Sequence, residues 1–129
     1  MLPPVDQAHL EALAPGNKVS IEGGMICIVI PSFSLSTGFT LSSADLLLRL
    51  SAGYPDVPPD MWWFCPAVLR VDGQVIAATQ LMEHHLGRTW QRWSRHLNPS
   101  QWRPGIDSVE SYLALVRKEL AVASGRRAA

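Results

Sequence analysis

The chain has 129 residues, a length that favours a single domain over residues 1–129. Hydrophobic residues make up 47% and charged residues 17%, a balance typical of a globular protein. The formal net charge is zero, which excludes the strong positive charge expected of a protein that binds nucleic acid or an anionic membrane.

The cysteine content and the N-terminus bear on the compartment. Cys27 and Cys65 are the only cysteines, and two scattered cysteines favour a reducing environment over a disulfide framework. No apolar run has the length of a membrane span, and the N-terminus lacks the basic and apolar regions of a signal peptide. We therefore expect a cytoplasmic protein.

The first thirty residues predict a helix followed by two strands. Residues 5–14 carry apolar side chains at helical spacing, and Pro15-Gly16 ends this helix. Residues 18–22 and 25–30 predict two strands, with Gly23-Gly24 suited to the tight turn between them. The second strand shows no polar alternation, so we expect it to be buried on both faces.

The middle of the chain predicts a third strand between two irregular segments. Residues 31–43 are rich in Ser, Thr and Gly and predict a loop. Residues 44–50 predict a strand with three leucines on one face and Leu47 and Arg49 on the other. Residues 54–59 (Tyr-Pro-x-x-Pro-Pro) contain three prolines and exclude regular structure.

The next segment predicts a strand, a hairpin and a loop. Residues 61–65 are aromatic and strand-like. Residues 68–71 and 74–78 flank Asp72-Gly73, a dipeptide favoured in two-residue hairpin turns, so we predict an extra hairpin there. Residues 82–98 show little periodicity, and we expect them to form a loop.

The end of the chain predicts a second helix. Asp107 begins it, because Glu110 three residues later completes a capping-box pattern. Its apolar stripe comprises Val109, Tyr112, Leu113, Val116 and Leu120. Helices at both ends of a run of strands predict an α+β domain with an antiparallel sheet.

Two motifs resemble the ubiquitin-conjugating (UBC) fold. The 54–59 turn between two strands is similar to the turn that joins the third and fourth strands of that family's meander. Residues 102–107 (Trp-x-Pro-x-Ile-Asp) are similar to the family's segment that opens the helix after the active site. The resemblance covers residues 5–123. It implies a UBC-like fold with an N-terminal helix, an antiparallel four-stranded meander sheet carrying the extra hairpin, and a C-terminal crossover helix.

The resemblance also implies the position of the acyl carrier. In that family the catalytic cysteine lies eight residues before the motif's tryptophan, and a His-Pro-Asn motif begins ten residues before the cysteine. Counting back from Trp102 gives Ser94, and counting back from Ser94 gives His84. A serine therefore replaces the family's cysteine, and the proline and the oxyanion-stabilising asparagine do not follow His84.

A serine nucleophile needs a base, because its hydroxyl reacts weakly until a neighbouring group takes the proton. His96 is the first candidate, since it lies two residues after Ser94 and an extended segment would place both side chains on one face. His84 and His85 are the second candidates, because the family places its histidine motif there. The resulting intermediate would be an oxyester.

Four further residues are candidates for the oxyanion and binding side of the site. Arg92 and Arg95 could stabilise the oxyanion. Trp93 and Trp102 are the binding candidates, although Trp93, three residues after Trp90, could also pack in the core or form a wall of the site. The adjacent histidines do not match the usual spacing of zinc ligands, so we expect neither a metal nor another cofactor.

The segment at residues 90–96 (WQRWSRH) resembles one bacterial branch of the family. The resemblance implies an enzyme, an acyl carrier in a bacterial ubiquitin-like conjugation pathway, with antiviral defence as its role by family analogy. Its partners would be a ubiquitin-like protein, an activating enzyme and a target protein, with no nucleic acid or membrane. Two alternatives stay open: an inactive scaffold that binds the ubiquitin-like protein or the activating enzyme, and a thioester enzyme that uses Cys65.

Overall fold

Two helices enclose six strands in chain order. The computed structural model describes residues 2–125. The elements are α1 (Pro4–Leu13), β1 (Lys18–Glu22), β2 (Met25–Ser34), β3 (Ser43–Leu50), β4 (Trp62–Cys65), β5 (Met82–His85), β6 (Arg88–Trp93) and α2 (Val109–Ala123), with a short 3₁₀ helix at Pro99–Gln101. The predicted α+β class is confirmed. Neither helix of the described chain is long and apolar enough to cross a bilayer.

All six strands form one antiparallel sheet in the order β1-β2-β3-β4-β6-β5. The first four strands make the predicted meander, and the β5–β6 hairpin adds two more strands at its edge. Strand β2 continues past its predicted end to Ser34 through an irregularity between Ile30 and Phe33. The predicted 31–43 loop is therefore wrong for its first four residues.

The main core lies between the sheet and the two helices. The predicted alternation in β3 is confirmed, because Leu46, Leu48 and Leu50 face this core whereas Leu47 faces the opposite side. Helix α1 contributes Leu10. The predicted stripe of α2 is also confirmed, since all five of its apolar residues are buried there.

A second, smaller cluster occupies the other face of the sheet. Its buried members are Cys27, Leu47, Trp63 and Trp90. The sheet curls over this cluster, because the backbone N–H of Leu86 at the tip of the β5–β6 hairpin donates to a carboxylate oxygen of Glu22 in β1 at 3.0 Å. Polar side chains that rise from this face are thereby brought together around the tryptophans.

The hairpin predicted at Asp72-Gly73 is wrong. Residues 66–81 form no strand and instead make an irregular insertion, in which the N–H of Gly73 donates to the carbonyl of Arg70 in a simple turn. Val71 and Val75 on either side of that turn are exposed, so no buried face holds two strands together.

The true hairpin lies in the 82–98 segment that was expected to be a loop. Leu86 and Gly87 link β5 to β6, and both have positive φ, at 54° and 74°. Such angles at both central residues are typical of the turn that matches the twist of a two-residue hairpin. The extra hairpin exists, but it lies closer to Ser94 in the chain than predicted.

Helix α2 begins one residue later than predicted. Ser108 is its N-cap, and the N–H of Ser108 donates to the hydroxyl of Ser111 at 3.0 Å. The carboxylate of Asp107 instead accepts the N–H of Arg103 at 2.7 Å. The predicted pairing of Asp107 with Glu110 is therefore wrong, although the capping pattern itself is present one position further on.

A buried carboxylate joins α1 to the rest of the domain. Asp6 is only 1% exposed, and its two oxygens accept the Tyr54 hydroxyl at 2.8 Å and the N–H of Val109 at 3.0 Å. Burial raises the pKa of Tyr54, and the hydrogen bond to Asp6 raises it further. Asp6 thus connects α1, the proline-rich turn and the first residue of α2.

Candidate functional site

Ser94 lies directly after β6, at the point where the strand ends. Its N–H donates to the carbonyl of Ala78 in the insertion at 3.0 Å, and the N–H of Arg95 donates back to Trp93 at 3.0 Å. The backbone therefore turns sharply at Ser94. The side chain is half-buried and shares with Arg92 the face of the sheet that carries the second cluster.

A guanidinium group contacts the Ser94 hydroxyl. The Nε–H of Arg92 donates to Oγ of Ser94 at 3.1 Å, and its Nη1 donates to a carboxylate oxygen of Glu83 at 2.8 Å. Glu83 lies on the neighbouring strand β5, opposite Trp90. One planar cation thus connects the hydroxyl to a carboxylate across the strand pair.

Glu83 is held from three sides. Its second oxygen accepts the indole N–H of Trp63 at 2.9 Å and pairs with Nε2 of His85 at 3.0 Å. Burial raises the pKa of Glu83, but the hydrogen bonds from His85 and Trp63 and the charge of Arg92 outweigh burial and hold the pKa below its ordinary value. The carboxylate is therefore ionised at neutral pH and bonded at both oxygens.

The structure does not gather the histidines around Ser94. No hydrogen bond within residues 2–125 joins a histidine to Ser94, whose hydroxyl contacts Arg92 instead. His84 pairs with Thr89 on β6, five residues before Ser94, a separation of about 16 Å along an extended strand. His85 points into the Glu83 network. A role of His84 or His85 at the hydroxyl therefore stays a prediction, and neither contacts Ser94 within the described residues.

His96 has a carboxylate partner that the sequence did not indicate. Its Nδ1 lies 2.6 Å from Oδ1 of Asp60, and both side chains are exposed. Within the described residues, Nε2 makes no hydrogen bond. An imidazole oriented through Nδ1 by a carboxylate, with Nε2 free, is the arrangement that general bases use in acyl transfer. Asp60 is 36 residues away in sequence and no motif marks it.

Arg95 is fixed by the scaffold rather than by the hydroxyl. Its Nε donates to Glu119 of α2 at 3.1 Å, its Nη1 donates to the carbonyl of Ala77 at 2.9 Å, and its guanidinium lies 5.0 Å from the ring centre of Trp93. It approaches Ser94 only at the backbone carbonyl, at 3.4 Å. Arg95 therefore ties the insertion and the helix to the turn that carries Ser94.

The two tryptophans predicted to contribute to the site are buried in the main core. The indole N–H of Trp93 donates to Gln91 at 2.9 Å, and that of Trp102 donates to the carbonyl of Pro55 at 2.8 Å. Trp102 thus holds the proline-rich turn, and Trp93 lies behind Ser94 on the helix side of the sheet. Both side chains therefore pack in the core, and a role for either in a binding surface stays a prediction.

Cys65 lies far from the hydroxyl. It is half-buried at the end of β4, and both cysteines are free. Its neighbour Phe64 pairs with Gln91 on β6, which places Cys65 about 13 Å from Ser94 along the strand direction. Within residues 2–125 no group of three or more His, Cys, Asp or Glu side chains could hold a metal ion.

The insertion reaches Ser94 through a buried amide. The side chain of Gln91 accepts the N–H of Val68 at 2.8 Å and donates to the carbonyl of Val68 at 3.1 Å. This two-point contact fixes the start of the insertion against β6, and its end then meets Ser94 through Ala78. Gln91 was missed by the sequence reading, because polar residues on a strand ordinarily face solvent.

Comparison with known proteins adds one finding. A family model, prokaryotic E2 family E, matches residues 2–123, where E2 denotes a ubiquitin-conjugating enzyme. The match spans every helix and strand described above, the 54–59 turn and Ser94. No curated protein and no solved structure matches the chain.

Proposed function

Because the chain belongs to prokaryotic E2 family E, we propose that it accepts the activated C-terminus of a ubiquitin-like protein on Ser94. The family gives the chain a conjugating-enzyme-like role. In the proposed step, Oγ of Ser94 attacks the carbonyl carbon of a thioester on an activating enzyme. A C–O bond forms, the C–S bond breaks, and sulfur leaves as a thiolate that finally takes the hydroxyl proton. The product is an oxyester that passes the acyl group to a target protein.

The observation that carries this proposal is the contact between Arg92 and Ser94. The oxygen of Ser94 gains negative charge as it loses its proton and attacks, and a guanidinium donor 3.1 Å away stabilises that charge. A guanidinium group offers only hydrogen-bond donors and no acceptor, so Arg92 cannot take the proton from Ser94. It therefore acts as a fixed positive donor and leaves the removal of the proton to another group.

His96 is the proposed base. It is two residues from Ser94, its Nδ1 is held by Asp60, and its Nε2 is free within the described residues. Hydrogen bonds in an active site often shorten only when substrate is bound, so the absence of a contact with Ser94 in the free protein is compatible with this role. Asp60 would orient the imidazole and stabilise its protonated form.

An adduct assay tests the proposal. The chain is incubated with its activating enzyme, its ubiquitin-like partner and ATP, and the adduct is treated with a thiol reductant and with hydroxide. We expect an adduct that survives the reductant, is cleaved by hydroxide and is lost in Ser94→Ala. Ser100→Ala, an exposed serine in the following 3₁₀ helix, is the matched control and should retain the adduct.

The base is tested in the same assay. Loss of a general base costs about 10²-fold or more in rate, and His96→Gln should slow ester formation to that extent. His84→Gln should have little effect, since strand geometry places His84 about 16 Å from the hydroxyl. Equal rates in wild type and His96→Gln would contradict the role of His96 without affecting that of Ser94.

A second function is favoured by one observation. Because no histidine hydrogen bonds to Ser94 within residues 2–125, the chain could serve as an inactive scaffold that binds the ubiquitin-like protein or the activating enzyme. Binding without an adduct would support that function.

A thiol-labile adduct lost in Cys65→Ala would support a thioester enzyme instead. By family analogy, the pathway proposed for either function is antiviral defence.

A further inference from the structure

We infer that Glu83 is a positioning residue that fixes Arg92 against the Ser94 hydroxyl, an inference that rests on the proposed function. The guanidinium of Arg92 donates at once to Glu83 at 2.8 Å and to Ser94 at 3.1 Å. Both contacts come from one rigid planar group, so the place of the carboxylate decides where the second donor points.

The carboxylate is itself immobilised by its neighbours. Trp63 of β4 donates its indole N–H to Glu83 at 2.9 Å, and His85 of β5 contacts the same oxygen at 3.0 Å while its ring packs edge-on against Trp63. Trp63 is buried in the second cluster, whose packing restrains its indole ring. The position of Arg92 is therefore set by residues of three adjacent strands.

Stability alone does not explain this network. The side chains of Glu83 and Arg92 are each 27% exposed, and ion pairs at such sites add little to the free energy of unfolding. The pairing of β5 with β6 is held by the backbone in any case. The distinct consequence of the network is that a long, flexible cation is kept in one orientation, with a donor aimed at the oxygen of Ser94.

A thiol probe tests the inference without any partner protein. Ser94→Cys introduces a thiol beside Arg92. The rate at which this thiol is alkylated at neutral pH reports how strongly the cation stabilises the thiolate. Mass spectrometry follows the alkylation at residue 94. A pKa lowered by about one unit raises the thiolate fraction about tenfold. In this background we expect Arg92→Gln and Glu83→Gln each to slow alkylation by up to about tenfold.

The double variant separates positioning from an independent effect. If Glu83 acts only through Arg92, then Glu83→Gln should cause no further loss once Arg92→Gln is present. Glu110→Gln is the matched control. Glu110 is an exposed glutamate on the first turn of α2, and it also pairs with a histidine, His9 of α1, at 2.9 Å. An unchanged or faster rate in Glu83→Gln would overturn the inference.

The ester assay then connects the network to the proposed chemistry. With Ser94 intact, Glu83→Gln should lower the maximal rate of ester formation about tenfold. The half-saturating concentration of activating enzyme and the melting temperature should stay nearly unchanged, because a misplaced donor lowers the rate rather than the binding affinity. An equal maximal rate in wild type and Glu83→Gln would refute the inference. If wild type forms no ester, the proposed function fails, and the thiol measurement still decides the inference.

Discussion

Replacing the buried carboxylate of Asp6 should destabilise the domain more than any exposed substitution on the same helix. Asp6 accepts two hydrogen bonds, from the Tyr54 hydroxyl at 2.8 Å and from the N–H of Val109 at 3.0 Å. In Asp6→Ala both donors lose their partner in a buried place. The carboxylate also lies at the positive end of the α2 dipole, where a negative charge is favourable.

The expected loss follows from these contacts. A hydrogen bond to a charged group contributes about 1.5–3 kcal/mol to stability. Removal of the buried charge returns part of its desolvation cost. For Asp6→Ala we therefore expect the free energy of unfolding to fall by about 3 kcal/mol. In a domain of this size that corresponds to a melting temperature lower by roughly 12 °C. Asp6→Asn keeps one acceptor and should lose about half as much.

Thermal and denaturant unfolding, followed by circular dichroism, measure these losses. Glu11→Ala is the matched control, because Glu11 is an exposed acidic residue on the same helix. A cycle with Tyr54→Phe should give a coupling of about 1–2 kcal/mol between Asp6 and Tyr54. If Asp6→Ala costs no more than the control, the carboxylate does not connect α1 to the core and the reasoning is refuted.

Three further changes should have measurable effects. Burial raises the pKa of Tyr54 and of Tyr112, so neither should ionise near the ordinary value of about 10. The stability that these groups give to the folded protein is kept below that pH and lost as the pH rises through the raised values. The absorbance of tyrosinate in the near ultraviolet should therefore appear only when the protein unfolds. Gln91→Leu leaves the N–H and carbonyl of Val68 unpaired, which should cost about 2 kcal/mol and reduce hydrogen-exchange protection in residues 66–81. Cys65→Ala should leave the hydroxide-labile adduct intact.

Several segments of the fold were predictable because their local sequence patterns agree with the way they pack in the structure. Strand β1 has the predicted bounds, and the leucines of β3 divide between the two faces as the period of two requires. Helix α1 is displaced by one residue from its prediction. In these segments the buried positions other than Asp6 are apolar, and the turns carry glycine or proline, so composition and structure point to one answer.

The extra hairpin was predicted at the wrong place in the chain because turn chemistry alone does not make a sheet. Asp72-Gly73 forms a turn, yet the carboxylate of Asp72 is used by Arg70 and by the N–H of Gln74, and no apolar face surrounds it. The β5–β6 hairpin contains few apolar side chains, since charged and imidazole groups occupy its faces. Its buried side chains are Trp90, Gln91 and Trp93, and the contact of its tip with the distant strand β1 is one that no local pattern reveals.

Ser94 stays a prediction as the nucleophile, and the structure places neighbours beside it that the sequence did not indicate. The spacing of motifs gave Ser94, and the composition of the 82–98 segment suggested a ring of histidines. The strand register decides otherwise, because it pairs Trp90 with Glu83 and so brings Arg92, two residues further along the same face, beside that carboxylate. The pairing depends on the position of the hairpin turn at Leu86-Gly87, which lies in a segment that was predicted to be a loop.

The paired cation suits a hydroxyl better than a thiol. A thiol supplies a useful fraction of thiolate near neutral pH, whereas a serine oxygen becomes negative only as it attacks. A free arginine would be hydrated and mobile. Arg92 is instead neutralised by Glu83 in the resting protein and still directs a donor to the oxygen of Ser94. In the proposed reaction the interaction would strengthen as charge develops on the oxygen, which is the condition for an increase in rate rather than in ground-state binding.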